Sequence, residues 1–156
     1  MDDYPTFTGR DALLAMIDEA LALGDHEAVT SSLRDGLCRL IRDKSVFLPE
    51  CVFEPVEGHY ARRELYACSK TGISVVAMTW APGQGTPIHD HCGLWCVEGV
   101  WQGHLEIVRY ELEETNGDLN RFSMHETLMA GTGTAARHGI LIRDAEVLEK
   151  AEKVNM

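Results

Sequence analysis

Residues 85–99 read GTPIHDHCGLWCVEG, and the reading of this stretch decides what kind of domain surrounds it. His89 and His91 flank Asp90, straight after Gly83, Gly85 and Pro87. In a strand, residues i and i+2 face the same way. His89 and His91 would then point together, with Asp90 turned away. Two imidazoles held like that can grip one divalent ion, and imidazole suits iron, zinc, copper and nickel. The plainer alternative is an edge strand carrying two solvent-facing histidines. Strand alternation also pairs Cys96 with Glu98, which makes Glu98 a reserve carboxylate ligand. Cys92 is read as part of the turn, with no chemical role.

Working outward, the surrounding chain is built of short runs rich in β-branched and aromatic residues. These are RRELYAC (62–68), ISVVAMTW (73–80), LWCVEGV (94–100), HLEIVRYEL (104–112), RFSMHETL (121–128) and HGILI (138–142). Turns with Gly, Pro or Asn separate them: SKTG, APGQG, WQG and ETNGD. This spacing predicts a mainly β chain, a jelly-roll barrel over about 60–143. Upstream, residues 10–23 place Leu13, Leu14, Ile17, Ala20 and Leu21 on one helical face, and Gly24 ends that helix. Residues 26–42 do the same with Val29, Leu33, Leu37, Leu40 and Ile41. A helical hairpin over about 10–42 is expected to cover one side of the strands. Residues 144–156 read as a polar, helix-prone tail.

A chain of 156 residues with 45% apolar content fits one domain with a useful core. Acidic residues number 25 against 14 basic ones, a net charge of -11. That balance argues against nucleic acid and against an anionic membrane as partners, since both call for a basic footprint. No apolar run reaches the roughly 18 residues of a membrane span. The opening MDDYPTFTGR has no export pattern. Five cysteines at irregular spacing then read as reduced thiols, and the location expected is cytoplasmic.

The spacing from Gly83 to Gly103 carries a resemblance. Five residues separate Gly83 from His89, four separate His91 from Cys96, and six separate Cys96 from Gly103. This is similar to the first motif of the cupin superfamily, G-x5-H-x-H-x4-E-x6-G, with cysteine in the glutamate slot. A cysteine there, together with the phrase PIHDH, resembles the thiol dioxygenases, the family of cysteine dioxygenase and 3-mercaptopropionate dioxygenase. YAR at 60–62 resembles the family's Y-x-R. The resemblance runs from Tyr60 to Gly103 and more loosely over the helical N-terminus. It implies a cupin double-stranded β-helix holding a mononuclear Fe(II) on three histidines. The implied partners are O₂ and a small carboxylated thiol, which is oxidised to its sulfinate. It also implies a substrate clamp at Arg62, with Tyr60 and Cys96 in the catalytic surroundings. A guanidinium suits that task because it forms two parallel hydrogen bonds to a carboxylate. Arg63 is the alternative one residue along, and a strand turns only one of the two inward.

Beyond Gly103 the chain departs from the family, and no proline follows Pro87. The family's final S-L-H-x-Y phrase is missing, and no tyrosine follows Tyr110, so no cysteine–tyrosine cross-link is expected at Cys96. His138, 47 residues after His91, has the spacing of the third ligand; His104 and His125 are the other histidines downstream. The site is completed by His138, by Glu98 or by water. The C-terminal strands are read as divergent or incomplete, and an uncovered sheet edge would call for a partner copy in a homo-oligomer. Two other functions stay open beside the thiol oxidase: a metal-dependent cupin dioxygenase of another substrate, and a non-catalytic cupin-fold domain.

Overall fold

The computed structural model describes residues 4–112, 122–127 and 138–144. The tail expected over 144–156 lies outside them beyond Asp144.

The two helices form where the apolar periodicity placed them, α1 at Arg10–Leu21 and α2 at His26–Asp43. Asp25 caps α2: its carboxylate accepts the Ala28 N–H at 2.9 Å. Gly9 precedes α1 at φ 82°, and a Cβ there would lie 2.5 Å from the Ser45 carbonyl oxygen. Only glycine lets the chain after α2 pass so close. Leu13, Met16, Ile17 and Ala20 of α1 are buried with Val29, Leu33, Leu37 and Leu40 of α2.

Six strands follow among the described residues: β1 (Ala61–Cys68), β2 (Ile73–Thr79), β3 (Cys96–Gln102), β4 (Ile107–Leu112), β5 (Phe122–Thr127) and β6 (His138–Asp144). β1, β2, β6 and β3 form an antiparallel sheet in the order β1-β2-β6-β3, and β4 and β5 form a separate ribbon. β6, the last of these strands, is therefore interior: it pairs with β2 on one side and β3 on the other.

Register and burial divide the large sheet into two faces. Val75, Ala77 and Val97 are buried against the helices with Ile142. Gly99 shares their phase, and a Cβ on it would meet Leu37 Cδ2 at 2.6 Å and Ile41 Cδ1 at 2.9 Å. So α2 lies directly on β3. The opposite phase carries Arg62, Glu64, Val76, Met78, Cys96 and Glu98. Glu64, Val76 and Glu98 stand in one row across the sheet, in register with position 141 of β6.

The helices supply a large share of the core, so the described fold is mixed α and β, a hairpin of helices on an antiparallel sheet, where a mainly β chain was expected. Among the described residues no ladder joins the sheet to the β4–β5 ribbon. A second expectation is corrected outright: the His89–His91 segment is not a strand. Residues 80–95 form a connection between β2 and β3. The reason is topological. β2 and β3 are both antiparallel to β6, hence parallel to each other, and the chain must return along the whole sheet between them. Both edges of β2 are already occupied, by β1 and by β6, so 80–95 cannot pair with the strand it leaves.

Candidate metal centre

The connection is fixed at its start by a turn. Ala81–Gln84 closes with a hydrogen bond from Gln84 N–H to the Ala81 carbonyl (3.1 Å), with Pro82 and Gly83 (φ 80°) at its centre. Proline followed by a positive-φ glycine is the signature of a type II turn. The Gln84 side chain ties the turn down. Its Oε1 accepts the Ala81 N–H (2.8 Å), and its Nε2 donates to the Val56 carbonyl (2.8 Å).

A second turn aims His91. Cys92 and Gly93 both have positive φ, 51° and 79°, and the Leu94 N–H donates to the His91 carbonyl at 2.9 Å. Two successive left-handed residues under such a bond make a type I′ turn. Asp90 caps it: its Oδ1 accepts the Cys92 N–H at 3.0 Å and the Cys92 thiol at 3.3 Å. The Cys92 backbone N–H, and after it the thiol, hold the Asp90 carboxyl below its usual 3.8. The sequence places Asp90 away from the two histidines and Cys92 in the turn, without showing that the one caps the other. Their role was signalled by Asp two positions before Cys-Gly, the spacing of an Asx turn.

The turn folds His91 back onto the start of β3. A ring nitrogen of His91, Sγ of Cys96 and a carboxylate oxygen of Glu98 all lie within 4.8 Å of one another. Cys96 Sγ donates to Glu98 Oε1 at 3.9 Å. His91 and Cys96 are half-buried and Glu98 is exposed. The ring centres of His89 and His91 are 5.3 Å apart. Two imidazoles bound tetrahedrally to one ion at about 2.0–2.1 Å have ring centres about 5 Å apart, so this spacing suits a shared ion. Nδ1 of His89 lies 2.8 Å from the Pro87 carbonyl. With Nδ1 as donor, Nε2 keeps its lone pair for a metal. Imidazole, thiolate and carboxylate together fit a divalent transition ion.

The other site residues are distributed as follows. Arg62 is exposed and lies in the phase of Cys96 and Glu98. Arg63 has the opposite phase and is committed to structure: it donates to the Val52 carbonyl (3.3 Å) and the Glu54 carbonyl (2.7 Å). Arg62 nonetheless belongs to the outer strand β1, three interstrand spacings from β3, or about 14 Å at the backbone. Tyr60 stacks on Trp80 at 5.7 Å, extending the β1–β2 register by one pair. The register does not bring His138 to the His91 group. His138 stands opposite Gln102, four residues past Glu98, which is about 13 Å further along β3. His104 is exposed between β3 and β4, and His125 lies on β5.

No protein-family model matches the chain. Among the described residues no helix is long and apolar enough to cross a membrane.

Proposed function

We propose that this chain is an Fe(II)-dependent dioxygenase of a small carboxylated thiol, of the cysteine or 3-mercaptopropionate class, built on a divergent cupin fold. The observation that carries the reading is the meeting of His91 with Glu98 on the sheet face that also bears Arg62. His89 and His91 would hold the iron, and Glu98 is the third ligand in preference to His138, whose register is remote. Two histidines and one carboxylate with open positions make the facial arrangement of non-haem iron oxygenases. Iron bound there supplies the redox chemistry that adds both atoms of O₂ to sulfur. Arg62 pairs with the substrate carboxylate and orients the thiol toward the histidines. Its long side chain covers part of the 14 Å or so between β1 and β3, so a short thiol acid is the size that fits. Tyr60, held against Trp80, closes the Arg62 end of that face.

The test is anaerobic Fe(II) loading followed by oxygen uptake with a thiol panel. Stoichiometric iron and uptake with carboxylated thiols are expected. Glu98→Gln should lower iron affinity at least tenfold, while His138→Gln leaves it within about twofold. Iron bound without any thiol-dependent uptake favours a second reading, a metal-binding domain without catalysis. The exposure of His89 and Glu98 supports that alternative.

A further inference from the structure

The cysteine in this centre stands where a ligand would. We infer that Cys96 binds the metal directly through its thiolate, so that a sulfur ligand stands beside His91 and Glu98. The inference shares His91 and Glu98 with the reading above but does not require catalysis.

Three observations carry it. First, Cys96 and Glu98 are at i and i+2 on β3, and both β3 residues are locked in register by β6, opposite positions 143 and 141. Their side chains project from one face by backbone geometry alone. Second, the separations match a coordination sphere. Zinc bonds of about 2.3 Å to sulfur and 2.0–2.2 Å to nitrogen and oxygen place tetrahedral ligands about 3.4–3.6 Å apart. Cys96 and Glu98 are already at 3.9 Å, and no pair in the trio exceeds 4.8 Å. Third, the I′ turn at Cys92–Gly93 holds His91 over the sheet independently of any ion, with Asp90 capping it. The site is thus preorganised on a ladder and a capped turn. His89 lies outside this trio, with its ring centre 5.3 Å from that of His91, and the fourth position is open to it or to water.

Binding replaces the S–H bond of Cys96 by a sulfur–metal bond, and the thiol proton leaves to solvent. A thiolate beside imidazole and carboxylate suits borderline divalent ions, and Co(II) is the one that reports the sulfur ligand in its spectrum.

Cobalt titration of the metal-free full chain under anaerobic conditions tests this without reference to activity. The expected wild-type spectrum has strong visible bands of tetrahedral Co(II) and a near-ultraviolet thiolate-to-cobalt charge-transfer band. Cys96→Ser should lose the charge-transfer band and at least tenfold in affinity, while Cys92→Ser keeps the band. Cobalt bound with no charge-transfer band in the wild type would overturn the inference and leave the iron site of His89, His91 and Glu98 standing. A band that disappears in Cys92→Ser and persists in Cys96→Ser would equally overturn it. If the wild type binds neither cobalt nor iron, both readings fall. If Cys96→Ser does not fold, Cys92→Ser decides: a band that persists there supports Cys96 as the sulfur ligand, and a band lost there overturns it.

Discussion

Cys68 ends β1 where the chain turns through 69–72 into β2, and the Gly72 N–H closes that turn on the Cys68 carbonyl at 2.9 Å. The turn surrounds the sulfur with donors. The Thr71 hydroxyl is the strongest, followed by the N–H groups of Thr71 and Lys70 and the Tyr66 hydroxyl, and together they bring the thiol from 9.0 down to about 7. Each of these bonds favours the thiolate. Alkylation of Cys68 by iodoacetamide should therefore reach half its maximal rate near pH 7, and Thr71→Val should move that midpoint upward by removing the first donor. Peptide mapping of the alkylated chain against pH reads both. The sign for stability follows from linkage. A thiol whose pKa is depressed by folding contributes fully above the unfolded value, and that contribution is lost as pH falls through about 7. Because Cys68 is partly exposed, the effect on overall stability is small. The pairing of Cys96 with Glu98 was legible, because alternation within a single strand is a local property. The choice between Arg62 and Arg63 was not, since it depends on which face of β1 the helices cover.

At the scale of elements, the contact that sets the architecture is α2 on β3. Leu37 is 1% exposed and sits over Gly99, which has no side chain to resist it. Leu37→Ala removes a buried isobutyl group and leaves a void, a loss of about 2–5 kcal/mol. Gly99→Val is the complementary error. Its side chain would enter space held by Leu37 and Ile41, at a cost of about 1–3 kcal/mol for overpacking. Urea denaturation of both variants gives the two values. An unchanged midpoint for Gly99→Val would mean that α2 does not press on β3. The helices and the strands were legible in sequence because each carries its own hydrophobic period and its own stop signals. α1 and α2 follow a period of 3.6, and Gly24 separates them at φ 75°. The one segment misread as a strand was His89–His91. Its His-x-His spacing suits two rings on one face of a strand, but a strand needs a partner edge as well as a spacing.

For the whole molecule, the position of β6 matters most. Among the described strands, the one nearest the C-terminus lies between β2 and β3 and buries Ile142 (0% exposed) at the centre of the core. A chain cut before His138 loses both ladders that join β3 to the rest of the sheet. It should not fold cooperatively, and the separation of His91 from Cys96 and Glu98 would go with it. Circular dichroism melting of the truncated chain checks this: a sigmoidal transition like that of the full chain would show that β6 is dispensable. The same topology bears on folding speed, because β2–β6 pairing closes a loop of more than fifty residues before it is rewarded.

By itself, the sequence determined the local chemistry: two amphipathic helices, six strand-forming runs, and a His-x-His segment with cysteine and glutamate at fixed distances behind it. Those features need only propensity, periodicity and chain spacing, which act within a few residues. Tertiary structure decided that β6 is interior, that Arg62 and not Arg63 shares a face with Glu98, and that His91, Cys96 and Glu98 converge while His138 stays apart. Each of these is a matter of register between distant strands, and register is set by the burial of one face against another, which no single segment carries in its own residues.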